Sequence, residues 1–239
     1  MISPRLARSI AQVHKWLGLI VFAQLVIWTG TGLFFAAIHL SDIRADYLVH
    51  PPGHAAPVDM SRVKISSTDA LKAVAEDRPF DVTLKTLVDQ PIYVVRAEIG
   101  TFLVSAETGQ QVVVDEALAR KIATATWTEP TQIRAMDHLD AAPQESNVKG
   151  EVWAARFEGE GNKTLYISAI DGKTSNPRTD LWRTYDFLYG LHLMDYTEHE
   201  NFNTPWMVAA AVLALTTILF GVALLLHRFT RGLVKKDTP

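Results

Sequence analysis

The chain has 239 residues, nearly half of them hydrophobic, and a formal net charge of −3 from 23 Lys and Arg against 26 Asp and Glu. That balance carries no electrostatic footprint for nucleic acid. Because it contains no cysteine, disulfides, thiolate metal sites and haem attached through a cysteine pair are excluded.

The apolar residues are unevenly spread. Residues 1–15 hold Arg5, Arg8 and Lys15 and read as a cytoplasmic N-terminus, and from Trp16 to Ser41 there is no Asp, Glu, Lys or Arg. Residues 16–38 form a helix long enough, at ~1.5 Å per residue, to cross a hydrocarbon core of ~30 Å. Its length exceeds the ~7–15 residues of a signal-peptide core, so it is expected to be a transmembrane anchor. Residues 39–63 read as a linker, in which the prolines of "VHPPGHAAP" deny His50 and His54 the helical spacing of a metal-ligand pair.

Residues 64–115 and 116–178 look like two copies of one unit. In the first, "SSTDALKAVAEDR" carries cap residues and helical apolar spacing; in the second, "DEALARKIATATW" places Leu118, Ile122 and Ala125 at helical spacing behind an acidic first turn. Each is followed by a hairpin, "YVVRAEIGTFLVSAETGQQV" and "WAARFEGEGNKTLYISAIDGKT". Tyr93, Arg96, Glu98, Thr101, Ser105, Ala106 and Gly109 align with Trp153, Arg156, Glu158, Thr164, Ser168, Ala169 and Gly172 across one insertion in the turn. The expected unit is helix, strand, strand, used twice and packed on itself.

Residues 179–198 contain "WRTYDFLYGLHLMDY", in which Trp182, Tyr185, Leu188, Tyr189 and His192 share helical spacing; this reads as an aromatic helix at the membrane surface. Residues 204–227 form a second uncharged span behind Pro205, and residues 228–239 a basic tail with Arg228, Arg231, Lys235 and Lys236. With positive residues outside both spans, both termini are expected in the cytoplasm and the central domain on the opposite side, periplasmic in a Gram-negative inner membrane. The expected fold class is membrane α+β: two transmembrane helices flanking an extracytoplasmic domain of two helix-and-strand repeats.

The "DAL" helix and the hairpins closing on "ETG" and "IDG" resemble the PepSY domain over roughly residues 64–175. The flanks "HKWLGL" and "LYGLHLMDY" are similar to those of PepSY-associated membrane proteins, a family that includes iron-regulated inner-membrane proteins and siderophore reductases carrying b-type haem. The resemblance implies one or two haem b groups and electron transfer across the membrane to ferric iron, a ferric siderophore or a respiratory partner, from a quinol or flavoprotein donor. If the chain is an enzyme, it is then a haem-dependent ferric reductase. Two other readings stay open: a non-enzymatic anchored PepSY protein that binds a partner through a sheet edge, and an accessory haem subunit of a larger respiratory complex.

Four of the eight histidines lie at the rims of the spans: His14 and His227 on the cytoplasmic side, His39 and His192 on the other. Counted at ~100° per residue from His14, Gly18 falls at about 40°, Gly32 at about 0° and His39 at about −20° on one helix face. Imidazoles at each rim with small residues between them are what bis-histidine haem needs, so His14, His227, His39 and His192 are the candidate axial ligands and Gly18 and Gly32 the candidate haem-facing positions. His14 and His39 would lie about 37 Å apart and cannot share an iron. Two spans enclose a haem thinly, which calls for a homodimer or a partner membrane subunit. His138 and His199 sit among acidic and polar residues and read as surface positions. No G-x-G-x-x-G, P-loop, G-x-S-x-G or H-E-x-x-H occurs, so nucleotide-dependent, serine-hydrolase and zinc-protease chemistry have no site.

Overall fold

The computed structural model describes residues 3–50, 57–74, 79–199 and 201–236; His54 lies outside them. The chain is helices plus two antiparallel sheets, organised as two compact units: residues 1–38 with 184–239, and residues 39–183.

The first helix, α1 (Pro4–Ala37), begins where the Ser3 hydroxyl accepts from the Leu6 N–H and Pro4 takes a first-turn position that needs no donor. It therefore starts well before the apolar stretch, and Arg5, Arg8 and Lys15 are carried on the helix itself. It ends at Ala37, because Ile38 and His39 are extended, with ψ 128° and 140°. His39 is the N-cap of a separate short helix, α2 (Leu40–Arg44). The angular count from His14 consequently holds as far as Gly32 and fails for His39, which does not share that helix face.

After α2 the chain turns through left-handed Ala45 and buries Leu48 completely. Val49 bridges to Trp127, and the His50 N–H donates to the Thr126 carbonyl. The beginning of the expected linker is thus part of the core of its unit.

Helix α3 (Ser67–Ala73) is opened by a capping box: Ser66 accepts from the Asp69 N–H while Asp69 accepts from that of Ser66. The first sheet follows, β1 (Asp81–Leu87), β2 (Gln90–Ala97), β3 (Gly100–Ser105) and β4 (Gln111–Val112), paired in that order. Helix α4 (Glu116–Thr126), capped by Asp115, leads to the second sheet, β5 (Ile133–Leu139), β6 (Val152–Phe157) and β7 (Thr164–Ser168). Each expected hairpin is present as β2–β3 and β6–β7, and each gains a strand ahead of it, β1 or β5, which the helix–strand–strand reading lacked. The aligned residues hold equivalent places: Arg96 pairs with Thr101 as Arg156 does with Thr164, and Ser105 and Ser168 each accept two backbone N–H bonds in the closing turn. Gly109 and Gly172 end those turns at φ 75° and 68°, where a side chain is disfavoured.

Strand β2 is buried on both faces. Ile92 and Val94 join a core that includes Leu103, Ile122, Ala155, Leu165 and Ile167, drawn from both sheets and α4, and Trp127 stacks on Phe157 within it at 3.8 Å between centroids. Tyr93 points the other way, to Val104, Ala106 and Ala70 of α3. The period-2 alternation of "PIYVV" serves two apolar layers at once.

This unit closes on a polar hub. The Glu145 carboxylate accepts from the Tyr166 hydroxyl at 2.6 Å and from Nε and Nη2 of Arg183 at 2.9 Å each, while its backbone carbonyl accepts from Arg178. Burial drives the Glu145 carboxyl up, but the hydrogen bonds from Arg183 and Tyr166 with the charges of Arg183 and Arg178 outweigh it and leave it below the usual carboxylate range.

In the other unit, α1 packs against α6 (Pro205–Lys236), and residues 184–193 of α5 (Asp180–Leu193) lie on the C-terminal part of α1. Phe35 meets Tyr185, Tyr189 and His192 edge-on, with centroids 5.1, 6.1 and 5.4 Å away. Both α1 and α6 are long and apolar enough to cross a membrane.

Candidate functional site

Two histidines of the helical unit are held in the same manner. Nδ1 of His14 lies 3.0 Å from the carbonyl oxygen of Thr217 on α6. One turn later on α6, Gly221 leaves room for the imidazole: a Cβ built there would come within 3.1 Å of His14 Cε1. A carbonyl only accepts, so the His14 proton is on Nδ1 and Nε2 carries the free lone pair.

His192 is fixed from α1. Its Nδ1 is 2.7 Å from the Thr31 hydroxyl, and that hydroxyl donates to the Ile27 carbonyl at 2.9 Å, the usual back-bond of a helical threonine. With its hydrogen in that back-bond, Thr31 can accept from Nδ1–H, the tautomer that leaves Nε2 bare. The Trp28 indole donates to the His192 carbonyl at 2.9 Å, and a Cβ on Gly32 would touch His192 Cε1 at 4.0 Å. Thr31 is buried, so this arrangement is shielded from solvent.

The other expected residues behave differently. Both ring nitrogens of His227 are buried without a hydrogen-bond partner, an unfavourable state for a polar ring. His227 lies six residues beyond Gly221, about 9 Å of helix rise, so His14 turns to Thr217 and Gly221 and the expected opposition of His14 and His227 at one level does not form within the chain. His39 is exposed and makes no side-chain cap bond. A Cβ on Gly18 would meet nothing within 4 Å, so that position is open rather than a filled cradle.

His199 was not singled out from sequence, yet it is built in. Its Nδ1 is 2.8 Å from Asp186 Oδ2, and its ring covers Gly190 so closely that a Cβ there would fall 2.5 Å from Cδ2. Asp186 and Gly190 stand four apart on α5, the one signal that pairs them. The loop carrying His199 is tied by buried Asp195, whose carboxyl is held below its ordinary range by the backbone N–H of Asn201 first, against burial, and by Thr197 and Glu198. His138 lies on β5, exposed, with its ring 4.7 Å from that of Trp153.

Among the described residues no group of three or more His, Asp or Glu could hold a bare metal ion. The histidines do suit an iron porphyrin in a respect that the atoms display. Axial imidazoles bind through one nitrogen while the other donates to a carbonyl or similar acceptor; the Thr217 carbonyl sets His14 in that form, and the Thr31 hydroxyl admits it for His192. His227 differs from both, its two ring nitrogens being buried without a hydrogen-bond partner. Comparison with family models, with curated proteins and with solved structures returns no match.

Proposed function

We propose that the chain is a PepSY-associated membrane protein that binds b-type haem and passes electrons across a bacterial inner membrane to an extracytoplasmic acceptor, ferric iron or its chelates or a respiratory partner. In this reading α1 and α6 are the spans, both termini are cytoplasmic, and the unit of residues 39–183 is a domain of two PepSY-like repeats that receives the acceptor. The apolar faces of both helices support the membrane assignment: Leu19, Phe22, Val26, Leu33, Leu215 and Ile218 are all more than half exposed, an arrangement that lipid covers and water penalises.

The observation that carries the haem assignment is the paired Nδ1 anchoring of His14 by the Thr217 carbonyl and of His192 by Thr31. These residues would hold haem through Nε2, at two levels of α1 separated by the 18 residues from His14 to Gly32, about 27 Å. Bound haem would supply one-electron redox chemistry. The chain's own contribution is to fix the tautomer and rotamer of each imidazole, to bring glycine rather than a bulkier residue against each ring, and to exclude water with Trp28 and Phe35. A second imidazole at each level would come from a second copy of the chain or from a partner membrane subunit, which also encloses the sites better than two helices alone.

The test is the reduced-minus-oxidised spectrum of the purified full chain after haem-supplemented expression. Soret and alpha bands of a b-type haem are expected, reduced in His14→Ala and in His192→Ala and additively in the double variant. A preparation with no reducible bands overturns the assignment. If a partner protein co-purifies in their place, the anchored binding protein becomes the better reading.

A further inference from the structure

We propose a separate ligand site in the same helix pair: a cavity between α1 and α6 that binds the ring of a lipid-soluble quinone or hydroquinone, with Gln24 donating a hydrogen bond to a ring oxygen. The inference rests on the reading of α1 and α6 as membrane spans and deepens it by locating the quinol class of donor. The cavity has a volume of about 350 Å³, with walls that include Val21, Gln24, Trp28, Trp206, Ala210 and Leu213. That is the lower end of the ~300–1,000 Å³ usual for small-molecule sites.

Gln24 supplies the specificity. The walls are otherwise apolar apart from two indoles, and the Trp28 indole N–H is already committed to the His192 carbonyl. The amide nitrogen of Gln24 is buried and has no hydrogen-bond partner. An amide in hydrocarbon surroundings without a partner is unfavourable, so an occupant that brings an acceptor oxygen to this depth, met by the Gln24 side chain turning its amide into the cavity, is favoured over one that does not.

Depth and burial discriminate among occupants. Gln24 stands eight residues inward of Trp16, about 12 Å of rise into a ~30 Å core. A lipid acyl chain has no acceptor there, since its ester oxygens stay near the rim. A second copy of the chain would approach the outer face of α1, whereas this nitrogen is buried within its own chain. A quinone ring carries an acceptor oxygen on an otherwise apolar, flat body that can lie against Trp28 and Trp206. The position is also apt for redox traffic: Gln24 is ten residues from His14 and eight from Gly32, so an occupant divides a separation of about 27 Å into about 15 and 12 Å.

The experiment uses the full chain in phosphatidylcholine nanodiscs, titrated with decylubiquinone while tryptophan fluorescence is followed, so that it reads binding whether or not haem is present. Saturable quenching is expected, diminished in Trp206→Phe. In Gln24→Leu half-saturation should move about tenfold higher, the worth of one hydrogen bond. Ala210→Phe, which fills the cavity, should abolish the saturable part; if that variant fails to fold, Gln24→Leu decides alone. Quenching that rises linearly with quinone and is the same in every variant overturns the proposal. So does saturable quenching that ignores Gln24→Leu and is displaced by a saturated fatty acid, which marks an acyl groove. Absence of saturation together with a dimer that Gln24→Leu dissociates assigns the amide to a second copy and equally overturns it. Failure of the haem assignment appears separately, as the absence of b-type bands.

Discussion

Removing the Glu145 carboxylate tests how the sheet unit is closed. Glu145→Ala deletes three hydrogen bonds to an ionised acceptor, two from Arg183 and one from Tyr166, each worth ~1.5–3 kcal/mol when isolated. They are not additive, and the Arg183 side chain is 34% exposed, so water recovers much of its share. Tyr166 recovers less: it is only 6% exposed, and its hydroxyl is left without the carboxylate that, after burial, does most to push its phenol up to about 12. The expected cost is about 2–3 kcal/mol, which for a unit of this size is a drop of roughly 5–10 °C in Tm. Near-ultraviolet circular dichroism of the full chain in detergent, followed through thermal unfolding, reads it. The sign of the pH dependence is set by the lowered folded-state value of Glu145. Its contribution is complete above the ordinary carboxylate pKa of about 4.3 and is lost as pH falls through the lower folded value. Wild type and variant should therefore differ by a constant amount from pH 6 to 8 and draw together as pH falls below the ordinary carboxylate range. A variant within about 0.5 kcal/mol of wild type at pH 7, the ordinary range for surface changes, or a difference that persists undiminished in acid, refutes the hub.

Leu48→Ala should cost about 3 kcal/mol, because Leu48 is fully buried in the core shared by both sheets; a loss below about 1 kcal/mol in the same melts would return residues 39–48 to the status of a linker. Thr31→Val removes the acceptor of His192 Nδ1 with little change of shape. In the haem reading it should weaken haem retention about 10–100-fold, as loss of an outer partner does at ligating histidines, and Thr31→Ser should restore it; equal retention in all three proteins counts against the assigned tautomer.

The parts of this fold that were legible beforehand are those whose cause is local. Continuous apolar stretches mark α1 and α6 because a helix satisfies its own backbone in any apolar surrounding. Cap residues announce α3 and an acidic first turn announces α4, both through interactions made within one turn. The hairpins β2–β3 and β6–β7 were legible from alternation, and their matched residues fall in matched registers. The strands β1 and β5 were not, since their burial comes from joining a hairpin already formed. The inclusion of Leu48 in the core has the same origin, since a single leucine in a polar stretch carries no period.

The candidate site divides along the same line. Residue type and helical spacing were sufficient to nominate His14, His192 and Gly32, because a 3.6-residue period fixes which positions share a face for as long as the helix lasts. Where the helix stops is not written in that period: Ile38 and His39 leave α1 without a proline or glycine, and so His39 leaves the face that the spacing assigned to it. Tertiary structure alone decided which nitrogen of each imidazole is occupied, since the partners are a backbone carbonyl uncovered by Gly221 and a threonine hydroxyl brought from 161 residues away. It also isolated the amide of Gln24. The sequence determines where apolar surface and imidazoles occur; only packing determines which of their polar atoms are left unsatisfied, because that depends on every group brought within hydrogen-bonding reach.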